Sequence, residues 1–217
     1  MNDLTKPRGN LRIRRLRRSE LPANTVKLAR YLIGKTVVRE TPRGRISGRI
    51  VETEAYPVGD AAGHAFTGRS AANNSLFLRR GTAYVRFTYG SHWLFNIASE
   101  TPGVGAGVLI RAIEPLEGIA LMQRNRNLAR RHKSVFRMND LVRGPGRLSA
   151  AFQIDKSLDG IDLCAPGSPL WLGAAVRPTK GVIGVSVRIG ITKDAHRRLR
   201  FYERGNLYIS GPVRLSP

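Results

Sequence analysis

The order of apolar and polar positions divides this chain into short elements. A first helix is predicted over residues 25–33, with Asn24 as its N-cap and Gly34 as the C′ residue. Residues 35–41 and 47–56 read as two strands joined by Pro42-Arg43-Gly44-Arg45. Residues 57–78 are polar, small and rich in Gly and Asn, which predicts a long ordered loop. A hairpin follows, with strands at 82–87 and 93–97 and Tyr89-Gly90-Ser91 at its tip. Residues 107–112 read as a buried strand. Residues 114–127 read as a helix whose apolar face is Leu116, Ile119, Ala120 and Met122. Gly144-Pro145 opens another helix through Phe152, with Pro in the first turn. Residues 184–191 and 199–202 are late strands, and no repeat or low-complexity linker splits the chain.

One strand stands apart. In Ile50-Val51-Glu52-Thr53-Glu54-Ala55-Tyr56 the small and apolar side chains fall on one face, and Glu52, Glu54 and Tyr56 on the other. Two carboxylates and an aromatic ring on one face suit a pocket that binds a flat ring and activates a water. The same alternation also describes a half-exposed strand with a solvated acidic face.

Charge narrows the partners. The chain has 217 residues, enough for one domain with a real core, and 37 Lys and Arg face 15 Asp and Glu, a net +22. Residues 1–50 hold 14 basic and 3 acidic residues, half of that excess, densest in Arg12-Ile13-Arg14-Arg15-Leu16-Arg17-Arg18. Residues 1–18 are therefore expected to form a flexible or surface-lying basic arm, with the domain proper over 19–217. Such an imbalance points to a polyanion, most simply a phosphate backbone bound in a salt-dependent way, although a merely basic protein shares the composition. Cys164 is the only cysteine, which excludes an intrachain disulfide and a cysteine-rich zinc cluster. The basic N-terminus lacks the apolar stretch of a secretory signal, and the uncharged run 101–110 is too short and too rich in glycine for a bilayer. A soluble cytoplasmic protein is expected, associated with the nucleoid in a bacterium.

Other candidates are ambiguous one at a time. Tyr89 at a hairpin tip is a candidate wedge between base pairs, or a surface tyrosine pinned by its neighbours. Asn96 could bond a base edge or pair with backbone. Arg111 ends an apolar strand, and His64 stands in a loop, positions that structural residues also take.

Taken together the pieces resemble the alkyladenine (3-methyladenine) DNA glycosylases. The resemblance rests on Val-Glu-Thr-Glu-Ala-Tyr at 51–56, His64, Tyr-Val-x-Phe-Thr-Tyr-Gly at 84–90, Asn96 and Leu-Ile-Arg-Ala-Ile-Glu-Pro-Leu-Glu-Gly at 109–118. It continues through Gly144-Pro145 with Leu148, Asp155-Lys156-Ser157, Arg188-Ile189-Gly190-Ile191 and Leu199-Arg200-Phe201-Tyr202, and so spans about residues 20–210.

The resemblance implies a single mixed α+β domain, a curved, largely antiparallel sheet with surrounding helices and a protruding β-hairpin that enters DNA. It implies a monofunctional enzyme that flips a damaged purine from duplex DNA, hydrolyses its N-glycosidic bond and leaves an abasic site. No cofactor and no metal are implied, and the protein is expected to work as a monomer away from membranes. Glu54 would be the general base, with Arg111 and the main-chain carbonyl of Ile189 holding the water. Tyr56 and His64 would flank the flipped base, Tyr89 would fill the gap in the duplex, and Asn96 would screen out the exocyclic amino group of normal guanine. Glu52 is then a neighbour that the reaction does not use, and its glutamine variant is expected to keep activity. Two positions depart from the family pattern. Arg86 takes a place in the pocket wall where a stacking tyrosine is common, and Ala72 replaces an arginine that often precedes the loop asparagine, here Asn73. A non-catalytic nucleic-acid-binding protein and a hydrolase of free nucleosides are the alternatives.

Overall fold

The computed structural model describes residues 11–88, 90–128, 137–179 and 181–216. Its frame is a curled antiparallel sheet. The strands are β1 (Thr36–Thr41), β2 (Gly44–Tyr56), β3 (Ala83–Thr88), β4 (His92–Ala98), β5 (Gly107–Glu117), β6 (Leu170–Gly173), β7 (Ile183–Ser186) and β8 (Arg200–Glu203). They run in the order β3-β4-β5-β2-β1-β6, while β8 pairs with β2 and with β7. Three helices complete this mixed α+β fold: α1 (Thr25–Leu32), α2 (Ile119–Leu128) and α3 (Pro145–Phe152). No helix among the described residues is long and apolar enough to cross a membrane.

The longest strand, β2, is the spine. One edge pairs with β5; the other pairs first with β1, from Gly44 to Arg49, and then with β8, from Glu52 to Glu54. Register shifts lie between Ile50 and Glu52 and between Glu52 and Thr53, the kind of irregularity that bends a strand and re-aims its side chains. Helix α1 packs on β2, where Thr53 Oγ1 donates to the Ala29 carbonyl at 2.9 Å. Its cap forms as the sequence indicates, with Asn24 Oδ1 accepting from Lys27 N at 3.0 Å. Helix α3 packs on β4 and β5, and α2 packs on α3.

Two stretches differ from the sequence expectation. The segment 114–117 is strand, not helix. Glu114, Pro115 and Glu117 continue the ladder against β2, and Gly118, at φ +72°, makes the corner from which α2 starts. A Cβ at Gly118 would lie 2.5 Å from the Arg45 carbonyl oxygen, so only glycine fits the turn. Secondly, the late strand stops at Ser186, and residues 187–191 leave the sheet toward the cavity described below. Residues 11–18 run along the outer edge of β6. Leu16 N donates to the Leu172 carbonyl at 2.9 Å and Ala174 N to the Arg14 carbonyl at 2.8 Å. Leu16, 1% exposed, enters the core, while Arg12, Arg14 and Arg17 face solvent. Residues 1–10, the first part of the expected arm, lie outside the described residues.

Candidate functional site

Where β2, the loop after it, the β3–β4 hairpin, β5, α3 and residues 189–193 converge, they line a cavity of about 1340 Å³. Typical small-molecule pockets measure ~300–1,000 Å³, so this is a groove that continues past a base-sized recess. Tyr56, His64, Tyr84, Asn96, Arg111 and Ile189 all line it.

Glu54 lies behind this wall. It is 0% exposed, and three donors hold its carboxylate. Ile189 N donates to Oε1 at 2.8 Å, Arg111 Nη1 stands 3.1 Å from the same oxygen, and Tyr56 OH donates to Oε2 at 2.9 Å. A carboxylate has about four lone-pair sites, so this arrangement leaves one for a further donor such as water. The expectation for Ile189 concerned its carbonyl; the contact observed with Glu54 is through its N–H.

The acidic face of β2 is thus no solvated strand face. Glu52 is also fully buried, and it is not a bystander. Its Oε1 accepts from Arg111 Nε at 3.0 Å and from Arg200 Nε at 2.6 Å, and its Oε2 accepts from Ser210 N at 2.7 Å. Two carboxylates and two guanidiniums form one compact cluster with balanced charge, and such burial is tolerable only when every partner is in place. Burial works to lower the Arg111 pKa, but Glu54 and Glu52 outweigh it and the net direction is upward. Glu52 therefore cannot serve as a neutral reference for Glu54.

Around the recess, Tyr56 presents its ring with the Arg188 guanidinium 4.6 Å from the centroid, within cation–π range. Burial, and then the Glu54 charge and hydrogen bond, raise the Tyr56 pKa, so the phenol stays a donor. Arg188 is held by buried Asp60, 2.8 Å away, and by the Ala55 carbonyl at 3.0 Å. His64 Nδ1 lies 3.3 Å from Tyr84 OH, and Asn73 Nδ2 fixes the His64 carbonyl at 2.7 Å. Burial, with the Arg86 charge adding to it, pushes the His64 imidazole down to about 4, which keeps it neutral near pH 7. Asn96 makes two long bonds, to the carbonyls of Tyr84 at 3.3 Å and Leu94 at 3.5 Å. Arg86 is exposed on β3, outside the cavity lining, though its charge acts on His64 and Tyr84. Tyr89 lies outside the described residues; its neighbours Thr88 and Gly90 flank the turn between β3 and β4. Among the described residues no group of three or more His, Cys, Asp or Glu is placed to share a metal ion.

Sequence reasoning missed Asp60, Arg200 and Ser210, and assigned no part to Arg188. Arg188 and Arg200 belong to motifs of the resemblance, but nothing in the sequence ties Asp60 or Ser210 to the strand that they support.

Fold and site together define an α+β protein with a buried carboxylate behind an aromatic-lined groove, an arrangement suited to hydrolysis next to a flat ring. Comparison with known proteins is more specific. Residues 19–207 match the model of the methylpurine-DNA glycosylase family, and the chain belongs to that family. A protein of Mesorhizobium japonicum is 62% identical over 195 residues, covering 90% of this chain and 89% of the relative. One of Paraburkholderia phytofirmans is 52% identical over 200 residues, covering 92% and 90%. One of Methanocella arvoryzae is 41% identical over 191 residues, covering 86% and 90%. All three bear the provisional name 3-methyladenine DNA glycosylase.

Proposed function

We propose that this DNA glycosylase of DNA repair takes alkylated or deaminated purines, namely 3-methyladenine, 7-methylguanine, hypoxanthine and ethenoadenine, from duplex DNA. The flipped nucleotide enters the groove, and its base lies against the free face of Tyr56 with His64 opposite. Extrusion costs on the order of a few kcal/mol, less at a damaged pair, and stacking and phosphate contacts offset it. Tyr89 fills the vacated space from the minor groove. Neutral His64 offers one ring N–H to the base, and Asn96 clashes with the exocyclic amino group of an intact guanine.

The reaction is a displacement by water. Glu54 takes a proton from the water, whose oxygen bonds to C1′ as the N-glycosidic bond breaks and its electron pair departs with the purine. A ring already positively charged leaves as a neutral base, so for 3-methyladenine and 7-methylguanine the enzyme need supply little beyond the nucleophile and its orientation; hypoxanthine and ethenoadenine, which are neutral, leave as anions that take up a proton from water. Arg111 and the Ile189 main chain hold the water. No lysine is required, and the product is an intact abasic site. Glu54 carries this reading: a carboxylate out of solvent, held by three donors immediately behind a ring-binding groove. A passive DNA-binding protein on this scaffold has no use for a buried anion beside a polyanion.

The test is to incubate the protein with duplexes carrying hypoxanthine, ethenoadenine or 7-methylguanine, heat in alkali, and look for strand scission. Scission at the lesion is expected. Tight binding without scission would make the protein a binder, and release from free nucleosides alone would make it a nucleosidase.

A further inference from the structure

The last described residues lie past the stretch matched by the family model, which ends at residue 207. They nevertheless reach the centre of the site. Ile209 is buried and anchors the segment in the protein. The next residue, Ser210, is 5% exposed and spends every polar atom on the ion cluster. Its N–H donates to Glu52 Oε2 at 2.7 Å, its carbonyl accepts from Arg200 Nη2 at 3.0 Å, and its hydroxyl accepts from Arg111 Nη2 at 3.2 Å. Gly211, at φ +84°, presses on Ile189 so closely that a Cβ there would lie 2.4 Å from Ile189 Cδ1. Further along, the Leu215 carbonyl accepts from Arg200 Nη1 at 2.8 Å and Ser216 Oγ from Arg200 Nη2 at 2.9 Å.

These contacts have a geometric consequence. A guanidinium is a rigid planar fork, so two fixed nitrogens define the direction of the third. Glu52 fixes Arg111 Nε and Ser210 fixes Nη2; together they aim Nη1 at Glu54, 3.1 Å away. Without Ser210 the fork is held by Glu52 at Nε and by Glu54 itself at Nη1, so nothing independent of Glu54 fixes the direction of Nη1. The other side of Glu54 is braced in the same manner. Ile189 N donates to Oε1 at 2.8 Å, and Gly211 backs the Ile189 side chain. The Ser210 hydroxyl reaches Arg111, and Gly211 approaches the Ile189 side chain, so both touch residues that donate to Glu54.

We propose that Ser210 and Gly211 form a C-terminal brace, positioning residues that hold Arg111 and Ile189 in register with Glu54. The proposal rests on the reading of Glu54 as the general base. Ser210→Ala removes one hydroxyl from the full chain and leaves its main-chain bonds to Glu52 and Arg200. Misplacing a reacting group by about 1 Å costs on the order of a hundredfold in rate. Single-turnover base release from a hypoxanthine duplex should therefore fall by roughly tenfold to a hundredfold, while duplex affinity stays within about twofold. Ser210→Thr, which restores the hydroxyl, should recover most of the rate. Gly211→Ala should lower the rate from the Ile189 side, again with little change in affinity.

A second readout does not depend on turnover. The ¹⁵N-labelled arginine Nε–H resonance of Arg111, assigned by its loss in Arg111→Lys, should shift or broaden in Ser210→Ala and return in Ser210→Thr. An unchanged Arg111 resonance, or a release rate equal to wild type in Ser210→Ala, would overturn the brace. Failure of the wild-type protein to release any base would instead count against the catalytic reading, and the resonance would still decide the positioning.

Discussion

Glu52 and Glu54 are two residues apart, alike in chemistry and both fully buried, yet their glutamine variants should fail in opposite ways. In Glu54→Gln the amide oxygen can still accept from Ile189 N and Arg111, and the new NH₂ group can donate to the Tyr56 hydroxyl, which is able to accept. Bonds to an ionised partner become neutral ones, a loss of about 1–2 kcal/mol. In Glu52→Gln the amide oxygen can serve Arg111 and Arg200, but the NH₂ group then faces Ser210 N–H, donor against donor. Either variant leaves two guanidiniums to one carboxylate, but after Glu54→Gln both still contact Glu52, whereas Glu52→Gln leaves Arg200 with no carboxylate at all. Breaking a buried pair in this way costs about 3–5 kcal/mol, a large part of the ~5–15 kcal/mol that holds a typical domain. For a chain of this size that is a fall of roughly 6–20 °C in Tm. The assay is thermal unfolding at neutral pH beside single-turnover base release. Glu54→Gln should melt within a few degrees of wild type, bind a lesion duplex within a few fold, and release no base. Glu52→Gln should melt far lower. Appreciable turnover by Glu54→Gln would remove it as the base, and a wild-type Tm for Glu52→Gln would refute the argument that the cluster depends on its charge.

Other outcomes follow from the same geometry. His64 is held neutral at a pKa of about 4 against about 6.5 in an unfolded chain, so the unfolded state binds the extra proton. Its contribution is present above pH 6.5 and is lost as pH falls through 4, up to about 3 kcal/mol; the stability difference between wild type and His64→Gln should shrink over that window, and a flat difference would contradict it. Replacing exposed Arg12, Arg14 and Arg17 by serine, which spares buried Leu16, should weaken duplex binding regardless of sequence and reduce the slope of log K against log salt, by about 0.9 for each phosphate no longer neutralised. An unchanged slope would turn these side chains toward solvent or another partner. Arg86→Tyr should raise the ratio of single-turnover rates on 7-methylguanine and hypoxanthine, because the cationic lesion no longer meets a like charge near His64. Since Arg86 is exposed, and so screened, a severalfold change is expected, and a ratio that stays flat would place it on the DNA backbone.

How much of this was readable in the sequence depended on how local the cause was. The cap of α1, the β3–β4 pairing and the Pro-led start of α3 are dictated by residues within a turn of one another, and they appear where expected. Residues 114–117 mislead because Leu116, Ile119 and Ala120 mimic a helical spacing; the deciding contacts are with β2, where Arg49 Nη2 donates to Glu114 at 2.8 Å and Ser47 Oγ to Glu117 at 2.6 Å. Glu54 was legible through its motif. The difference between Glu54 and Glu52 was not, because it is made by Arg200 and Ser210 from the far end of the chain. The burial of both was likewise invisible, since alternation shows that a strand has two faces but not that both are covered.

The structure also sharpens what the charge excess means. A net +22 spread evenly through a protein would say little about its surface. Here the interior nearly cancels itself. Among the described residues the buried carboxylates are Glu52, Glu54, Asp60 and Glu203, and the buried guanidiniums are Arg49, Arg111, Arg126, Arg188 and Arg200. Arg49 faces Glu203, Arg188 faces Asp60, and Arg111 and Arg200 face Glu52; Arg126 bonds the main-chain carbonyls of Asp140 and Leu141. Burial thus withdraws acids and bases almost one for one, although acids are the scarcer kind by 15 to 37. The remaining surface is proportionally more basic than the composition suggests. A field of that sign draws a polyanion toward the molecule. The groove shares that sign, since Arg111, Arg126, Arg143, Arg147 and Lys193 line it against Asp60 and Asp155; only the cluster behind its wall, where Glu52 and Glu54 meet Arg111 and Arg200, is balanced, and there the charge that holds Glu54 is spent within the protein and not on the phosphates.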